Sequence, residues 1–182
     1  MLGQRRITDA AADEEPGNRL LELASGYRPG DTDLAWTRTT TWRSLLAATL
    51  DRPYPEILEA AVAAEADNPS ADLMAAWLAR RLGVPVQQEV SAGPGITEAR
   101  FVTGDGKIVI GRPDGRNATL SRPGEPDRFV ALHRRENSEL LSEELRRLDP
   151  DEVYGETLAE LAVAHRAAGR SAGRKAPGEV QP

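Results

Sequence analysis

Between residues 84 and 133 the chain alternates short β-type runs with turn residues at a regular spacing, and this pattern restricts the possible folds most strongly. The links are Gly-Asp-Gly at 104–106, Pro-Asp-Gly at 113–115 and Pro-Gly-Glu at 123–125, all of which are tight-turn sequences. Links this short can join only antiparallel neighbours. We therefore expect an antiparallel meander of four or five strands. The predicted strands are 84–90, 96–103, 107–111, 117–122 and 128–133.

Helical patterns lie on both sides of this predicted sheet. We expect one helix from about Asp31 to Leu50 and a third from Ser70, its N-cap, to Gly83. Between them, a second helix is expected after Pro55. Its apolar face would carry Ile57, Leu58, Ala61 and Val62. Two more helices are expected after the sheet. The inward residues of the first would be Leu140, Leu141, Leu145 and Leu148.

These patterns divide the chain into three parts. Residues 1–25 read as an N-terminal segment with a flexible acidic joint at 11–18, and residues 168–182 as a disordered tail. The domain between them spans 26–167, with helices in 31–83, the sheet in 84–133 and helices in 138–167. The predicted fold class is therefore α+β, in which about three N-terminal and two C-terminal helices pack with the sheet.

Composition excludes several classes of protein. The chain has 182 residues, 40% of them hydrophobic, which suffices for one globular domain. A net charge of −6 argues against a nucleic-acid-binding protein, and no apolar run approaches the roughly 20 residues of a membrane span. We see no signal peptide and expect a cytoplasmic protein. The chain has no Cys, so it can neither form a disulfide nor bind metal through thiolates.

Two of the three Trp lie within residues 26–43, among acids and arginines. On a helix beginning near Asp31, Trp42 and Arg38 fall on the apolar stripe. An Arg on an apolar face needs a carboxylate, so we expect Arg38 in a structural ion pair. The candidate partners are Asp31, Asp33 and Asp72.

The other side of this helix carries Trp36, Thr40 and Arg43, for which two interpretations stay open. In one, Trp36 belongs to a second layer of core. In the other, these residues form a contact surface held in place by Asp31 and Asp33, because Trp and Arg dominate interface hot spots.

No catalytic or metal site emerges from the residue types. Neither of the two His has a second His three or four residues away, so the spacing of local metal motifs is absent. The arginines of the predicted sheet form an alternative binding site, since Arg recognises phosphate through a planar fork. The candidate anion-binding residues are Arg100, Arg112, Arg116 and Arg122. They would make the chain a sensor of phosphorylated metabolites.

Five blocks of the sequence, in order, resemble the actinobacterial glucose-6-phosphate dehydrogenase assembly protein family OpcA. The longest is GYRPGDTDLAWTRTTTWRSLLAATLD at 26–51. The others are RRITDA at 5–10, AAWLARR at 75–81, ATLSR at 118–122 and LRRLDPDEVY at 145–154.

This resemblance implies a non-enzymatic partner that promotes assembly and allosteric activation of glucose-6-phosphate dehydrogenase in the oxidative pentose phosphate pathway. Two departures accompany it. Family members carry an N-terminal domain before the RRITDA block, whereas only residues 1–4 precede it here, so the resemblance is to the C-terminal domain. Cyanobacterial relatives are linked to thiol-based regulation, which a chain without Cys cannot perform through its own side chains.

Overall fold

Six strands form the main sheet of the protein. A computed structural model describes residues 5–51, 53–147 and 149–173. Eight strands occur: β1 (Ile7–Thr8), β2 (Thr32–Asp33), β3 (Ile57–Ala64), β4 (Val86–Val90), β5 (Ile96–Thr103), β6 (Gly106–Gly111), β7 (Asn117–Ser121) and β8 (Arg128–Ala131). The helices are α1 (Pro16–Ser25), α2 (Leu34–Arg38), α3 (Thr40–Thr49), α4 (Pro69–Leu82), α5 (Asn137–Arg146) and α6 (Glu152–Gly173). The six-stranded sheet has the order β4-β3-β5-β6-β7-β8, and β1 and β2 form a separate parallel pair.

The predicted meander is confirmed for β5 to β8, which pair antiparallel in sequence order. The expected helix after Pro55 is wrong, because residues 57–64 form the strand β3. This strand lies between β4, with which it pairs parallel, and β5, with which it pairs antiparallel. Its nearly continuous apolar sequence is compatible with a buried helix or a buried strand. A run of eight residues is short for a helix but normal for a strand.

The parallel pairing of β3 with β4 requires a crossover, and α4 supplies it. Asn68, rather than the expected Ser70, caps this helix, since its side chain accepts a hydrogen bond from the N–H of Ala71 at 3.0 Å. The helix ends at Gly83, as predicted, with a φ of 67° that favours glycine.

An ion pair crosses the face of β3 that points away from α4. The Arg100 guanidinium on β5 binds both carboxylate oxygens of Glu89 on β4, and it also donates to Glu98 at 2.9 Å. Opposite these residues in the register lie Ala61 and Ala63. Both alanines are buried although they lie on the polar face. The long side chains of their neighbours therefore cover β3 from this side.

The expected helix at 31–50 is divided into α2 and α3 at Thr39. The hydroxyl of Thr39 donates to the backbone carbonyl of Trp36 at 2.7 Å. The hydroxyl of Thr37 donates to the backbone carbonyl of Asp33 at 3.3 Å. Such local bonds compete with the regular helical pattern and bend a helix. The divided helix turns Trp36 and Trp42 toward different parts of the interior.

Two hydrophobic clusters meet at α4. The larger one joins α3 and α4 to one face of the sheet and contains Trp42, Met74 and Phe101. The smaller one joins α1, α2, α4 and α6 and contains Trp36 and Tyr154. Trp77 is half-buried and packs against both clusters. The fold therefore has three layers: the sheet, α3 with α4, and the remaining helices.

The C-terminal helices differ from expectation in several places. Of the leucines expected to point inward from α5, only Leu140 is buried, whereas Leu141 and Leu145 are exposed. Residue 148 lies outside the described residues. The helix α6 continues to Gly173, so the first part of the expected tail is helical, and 174–182 lie outside the described residues.

The expected acidic joint at 11–18 is also more ordered than predicted, because a 3₁₀ turn at Ala10–Ala12 and the start of α1 at Pro16 occupy most of it. Among the described residues, no helix has the length and apolarity that crossing a membrane requires.

Candidate functional site

The Asp33 carboxylate organises the start of the region that carries two of the tryptophans. It is fully buried and caps α2 by accepting from the N–H of Ala35 at 2.8 Å. It also accepts from the N–H of Ala10 at 2.9 Å and from the hydroxyl of Thr8 at 2.6 Å. Burial raises the pKa of Asp33, while these hydrogen bonds oppose the rise. Asp33 therefore ties β1 and the 3₁₀ turn to α2 and lies in the interior.

Asp31 lies closer to the surface than Asp33. Its carboxylate accepts from the Arg6 guanidinium at 2.7 Å and from the N–H of Arg28 at 3.0 Å. It closes the turn before β2 and holds β1 beside it.

Trp36 lies inside the protein, with 0% of its surface exposed. The expectation that its ring faces a partner is therefore wrong, and the alternative of a second core layer describes its position. It packs on Tyr154 with 5.8 Å between ring centroids. Its indole N–H donates to a carboxylate oxygen of Asp151 at 2.9 Å. The helical wheel placed it outside the apolar stripe because a second cluster packs on that side.

The Arg43 guanidinium covers the Trp36 ring from outside, 3.6 Å from the ring centroid. Its Nε donates to the hydroxyl of Thr39 at 2.9 Å, and its Nη2 to that of Thr40 at 3.4 Å. Burial lowers the pKa of Arg43 to about 10, still above neutrality, so the stacked group stays charged. Arg43 is half-buried and separates the tryptophan from solvent.

Charged side chains connect this stack to the C-terminal helices. Asp151, which receives the Trp36 N–H, also accepts from Arg147 at 3.2 Å. Arg147 in turn donates to Glu143, four residues before it, at 2.8 Å. Glu143 further accepts from Arg135 and, at 3.3 Å, from the hydroxyl of Thr40. We call Trp36, Arg43, Glu143, Arg147 and Asp151 the Trp36 network.

A second carboxylate on α5 was not identified from the sequence. Glu144 is buried, and it accepts from Arg5 at 2.6 Å and from the hydroxyl of Thr37 at 2.8 Å. An available signal was its position four residues after Leu140, on the inward side of α5. A carboxylate on an inward face implies a cationic partner.

Arg38 forms an ion pair, but its partner is Asp9 instead of Asp31, Asp33 or Asp72. Its two terminal nitrogens donate to the two Asp9 oxygens at 2.6 and 2.8 Å, and Nη2 also reaches the side chain of Asn137 at 2.8 Å. The wheel missed Asp9 because the 3₁₀ turn that it caps packs against α2 only in the tertiary structure. The pair holds the N-terminal segment to the start of α5.

A shallow depression opens beside the Trp36 network, lined by Arg43, Arg146, Arg147 and residues 149–153. Next to it, α5 exposes Leu145, with 65% of its surface accessible, and Leu141 one turn earlier. Exposed leucines four residues apart form an apolar strip on a helix. We call the depression with this strip the α5 surface.

The four sheet arginines do not form one site. Arg100 is bound by Glu89 and Glu98, and Arg122 donates to the carbonyl of Thr49. Arg116 is exposed in the turn after β6. Arg112 is buried beside Trp42, where it donates to the carbonyls of Leu132 at 3.0 Å and Ile96 at 2.9 Å. These arginines therefore lie at separate positions and do not surround one common anion.

Comparison with solved structures places the fold among known ones. The crystal structure of KijD10, a 3-ketoreductase from Actinomadura kijaniata in complex with NADP and TDP-benzene, is similar with a TM-score of 0.52 at 10% identity. The match covers 90% of this chain and 70% of the ketoreductase chain. At this identity the likeness shows the fold alone.

Sequence comparison identifies the family. No curated protein matches the chain. A family model for OpcA, described as the C-terminal domain of the glucose-6-phosphate dehydrogenase subunit, matches residues 29–158, which include the whole sheet and the Trp36 network. The chain therefore belongs to the OpcA family, and the matched residues are its C-terminal domain.

Proposed function

We propose that this domain is a non-enzymatic, cytoplasmic partner of glucose-6-phosphate dehydrogenase that promotes its assembly and activation in the oxidative pentose phosphate pathway. The family match over residues 29–158 carries the proposal. A partner activates an enzyme only by binding its active state more tightly than its inactive or dissociated state. A hundredfold preference, about 2.7 kcal/mol, suffices to convert a mostly inactive population into a mostly active one.

The α5 surface is the contact face that we assign to the dehydrogenase. Its exposed leucine strip lies beside a group of charged side chains that other residues hold in place. Arg43 is stacked on Trp36, and Arg147 is bound to Glu143 and Asp151. Side chains ordered before binding lose less conformational entropy on association. Arg is one of the residue types enriched at binding hot spots, and the exposed leucines beside these arginines supply apolar area that a partner can bury.

This assignment changes the role of the residues expected to bind the partner. Arg43 is half-buried and lines the depression, Thr40 is half-buried and bonded to it, and both remain candidate contacts. Trp36 and Asp33 support them from inside, and Asp31 holds the preceding turn.

The proposal is tested by mixing the purified chain with the dehydrogenase from the same genome. We expect a complex by size-exclusion chromatography with light scattering, a larger dehydrogenase oligomer, and a lower KM for glucose 6-phosphate. No complex and no kinetic change, also when an N-terminal family domain is supplied, would show that the proposal is wrong.

A matched pair of variants locates the contact. Leu145→Asp on the α5 surface should weaken binding at least about tenfold, because it places a charge in an apolar interface. Val163→Asp makes a similar change at a 49% exposed position of α6 and should leave binding unchanged. Both positions are exposed, so both variants should fold. Equal binding by the two variants would place the contact elsewhere.

A further inference from the structure

A separate cleft of about 270 Å³ lies where the N-terminal ends of α4 and α5 meet the sheet. We call it the basic cleft and define it by Arg38, Ser70, Arg112, His133, Arg134 and Asn137. None of these residues lines the depression beside Arg43.

The charges of the cleft are unbalanced. Four arginines line it against two carboxylates, those of Asp9 and Glu65. Arg38 neutralises Asp9, and Arg135 is bound by Glu143 outside the cleft. Two guanidinium groups, on Arg112 and Arg134, then face the single carboxylate of Glu65.

Arg112 and Arg134 are neighbours of like charge. Arg112 is only 5% exposed, and its Nε is buried without a hydrogen-bond partner in the part of the chain that the structure describes. Its pKa is lowered by burial and then by the nearby charge of Arg134. Within the same described part, the Arg134 side chain has no hydrogen bond or ion pair. Asp114 acts on Arg112 in the opposite sense, so its carboxylate offsets part of this repulsion. Arg134 keeps an unpaired charge beside a buried cation, and such a position favours a bound anion.

Two helices direct their N-terminal ends at the cleft. Asn68 and Ser70 begin the 14-residue α4, and Asn137 begins the 10-residue α5. The N-terminal end of a helix carries partial positive charge. The side chain of Asn68 already caps α4, so this helix contributes through its dipole, whereas the carboxylates of Glu136 and Glu139 form a capping box that offsets the positive end of α5. Ser70 is 5% exposed, and its hydroxyl has no hydrogen-bond partner among the described residues. This hydroxyl is not among the buried unsatisfied atoms, so solvent reaches its oxygen in the cleft, where it is a further donor for an anionic ligand.

We propose that the basic cleft binds the phosphate group of a small phosphorylated metabolite. Arg134 and the Ser70 hydroxyl contact the phosphate oxygens, Arg112 supplies a fixed charge behind them, and the dipole of α4 adds to the positive field. The cleft volume of about 270 Å³ is near the lower end of the roughly 300–1,000 Å³ usual for ligand cavities, which suits a compound of sugar-phosphate size. The site is independent of the proposed partnership with the dehydrogenase.

Isothermal titration calorimetry of the full chain at constant ionic strength tests the site, with inorganic phosphate, glucose 6-phosphate and glucose as probes. We expect both phosphates to bind with Kd below about 1 mM and glucose to give no heat. Arg134→Gln should weaken phosphate binding at least about tenfold, since it removes a charged hydrogen-bond donor. Ser70→Ala should weaken it less.

Arg166→Gln is the matched control, because it removes the same charge from an exposed position on α6. It should bind phosphate as the unmodified chain does. Arg134 is also exposed, so its variant should fold, and circular dichroism checks this. No heat with either phosphate, or equal binding by Arg134→Gln and Arg166→Gln, would overturn the proposal. Neither result depends on the dehydrogenase.

Discussion

Replacing Trp36 with Phe tests how much the Trp36 network contributes to stability. The indole N–H donates to the Asp151 carboxylate at 2.9 Å, and a hydrogen bond to a charged group contributes about 1.5–3 kcal/mol. Asp151 retains hydrogen bonds from Arg147 and from the N–H of Tyr154. The stability lost with the indole hydrogen bond should therefore be near the low end of this range, about 1.5 kcal/mol. The smaller ring leaves a gap at a fully buried position, which costs about 1–2 kcal/mol. We expect the free energy of unfolding to fall by about 3 kcal/mol.

Urea denaturation followed by circular dichroism measures this change. A loss of that size leaves most domains folded, since their total stability is about 5–15 kcal/mol. Combining Trp36→Phe with Asp151→Ala in a double-mutant cycle isolates the pair, and we expect a coupling of about 1–2 kcal/mol. Trp77→Phe is the control, because Trp77 donates no hydrogen bond to another described residue. A coupling near zero would refute the role that we assign to the hydrogen bond.

Three further predictions concern the framework. Gly83→Ala should destabilise the domain by about 1–2 kcal/mol through its φ of 67°, whereas Gly104→Ala, with free space and no positive φ, should be nearly neutral in the same denaturation assay. The pKa of Asp114 is lowered to about 2 by the N–H groups of Asn117 and Arg116, so its carboxyl NMR signal should titrate near 2. Because the folded pKa lies below the unfolded one, the stabilisation by Asp114 is present above about pH 4 and is lost as the pH falls toward 2. Arg38→Gln should lower the free energy of unfolding by about 1–2 kcal/mol, and by less when Asp9→Asn is already present. Denaturation of the unmodified chain, the two single variants and the double variant measures this difference.

The sheet was predictable where local chemistry determines the pairing. The turns at 104–106, 113–115 and 123–125 are short, so they force β5 to β8 into an antiparallel order whatever the remaining chain does. The strand β3 was not recognised, because its alanines favour helix and its position depends on two distant neighbours. Its short length was the available signal. Tertiary pairing decided its conformation against its intrinsic propensity.

The candidate site was predictable in residue type but not in geometry. The sequence indicated that Arg38 needs an acid and that Trp36 lies apart from the first apolar stripe. It did not identify Asp9, Asp151 or Glu144 as the partners, since each comes from a segment that only the folded chain brings close. The exposure of Leu145 could not be predicted either, because the periodicity of α5 does not show which leucines pack against another element.

The ion pair that crosses β3 limits how this sequence can diverge. Ala61 and Ala63 leave room for the Arg100 and Glu89 side chains to meet above them. A larger residue at 61 or 63 would occupy that space and separate the charges. In related sequences we therefore expect the four positions to change together: either two small residues beneath a charged pair, or larger apolar residues with the pair replaced by uncharged side chains. An alignment that showed independent variation at these positions would mean that the bridge places no constraint on β3.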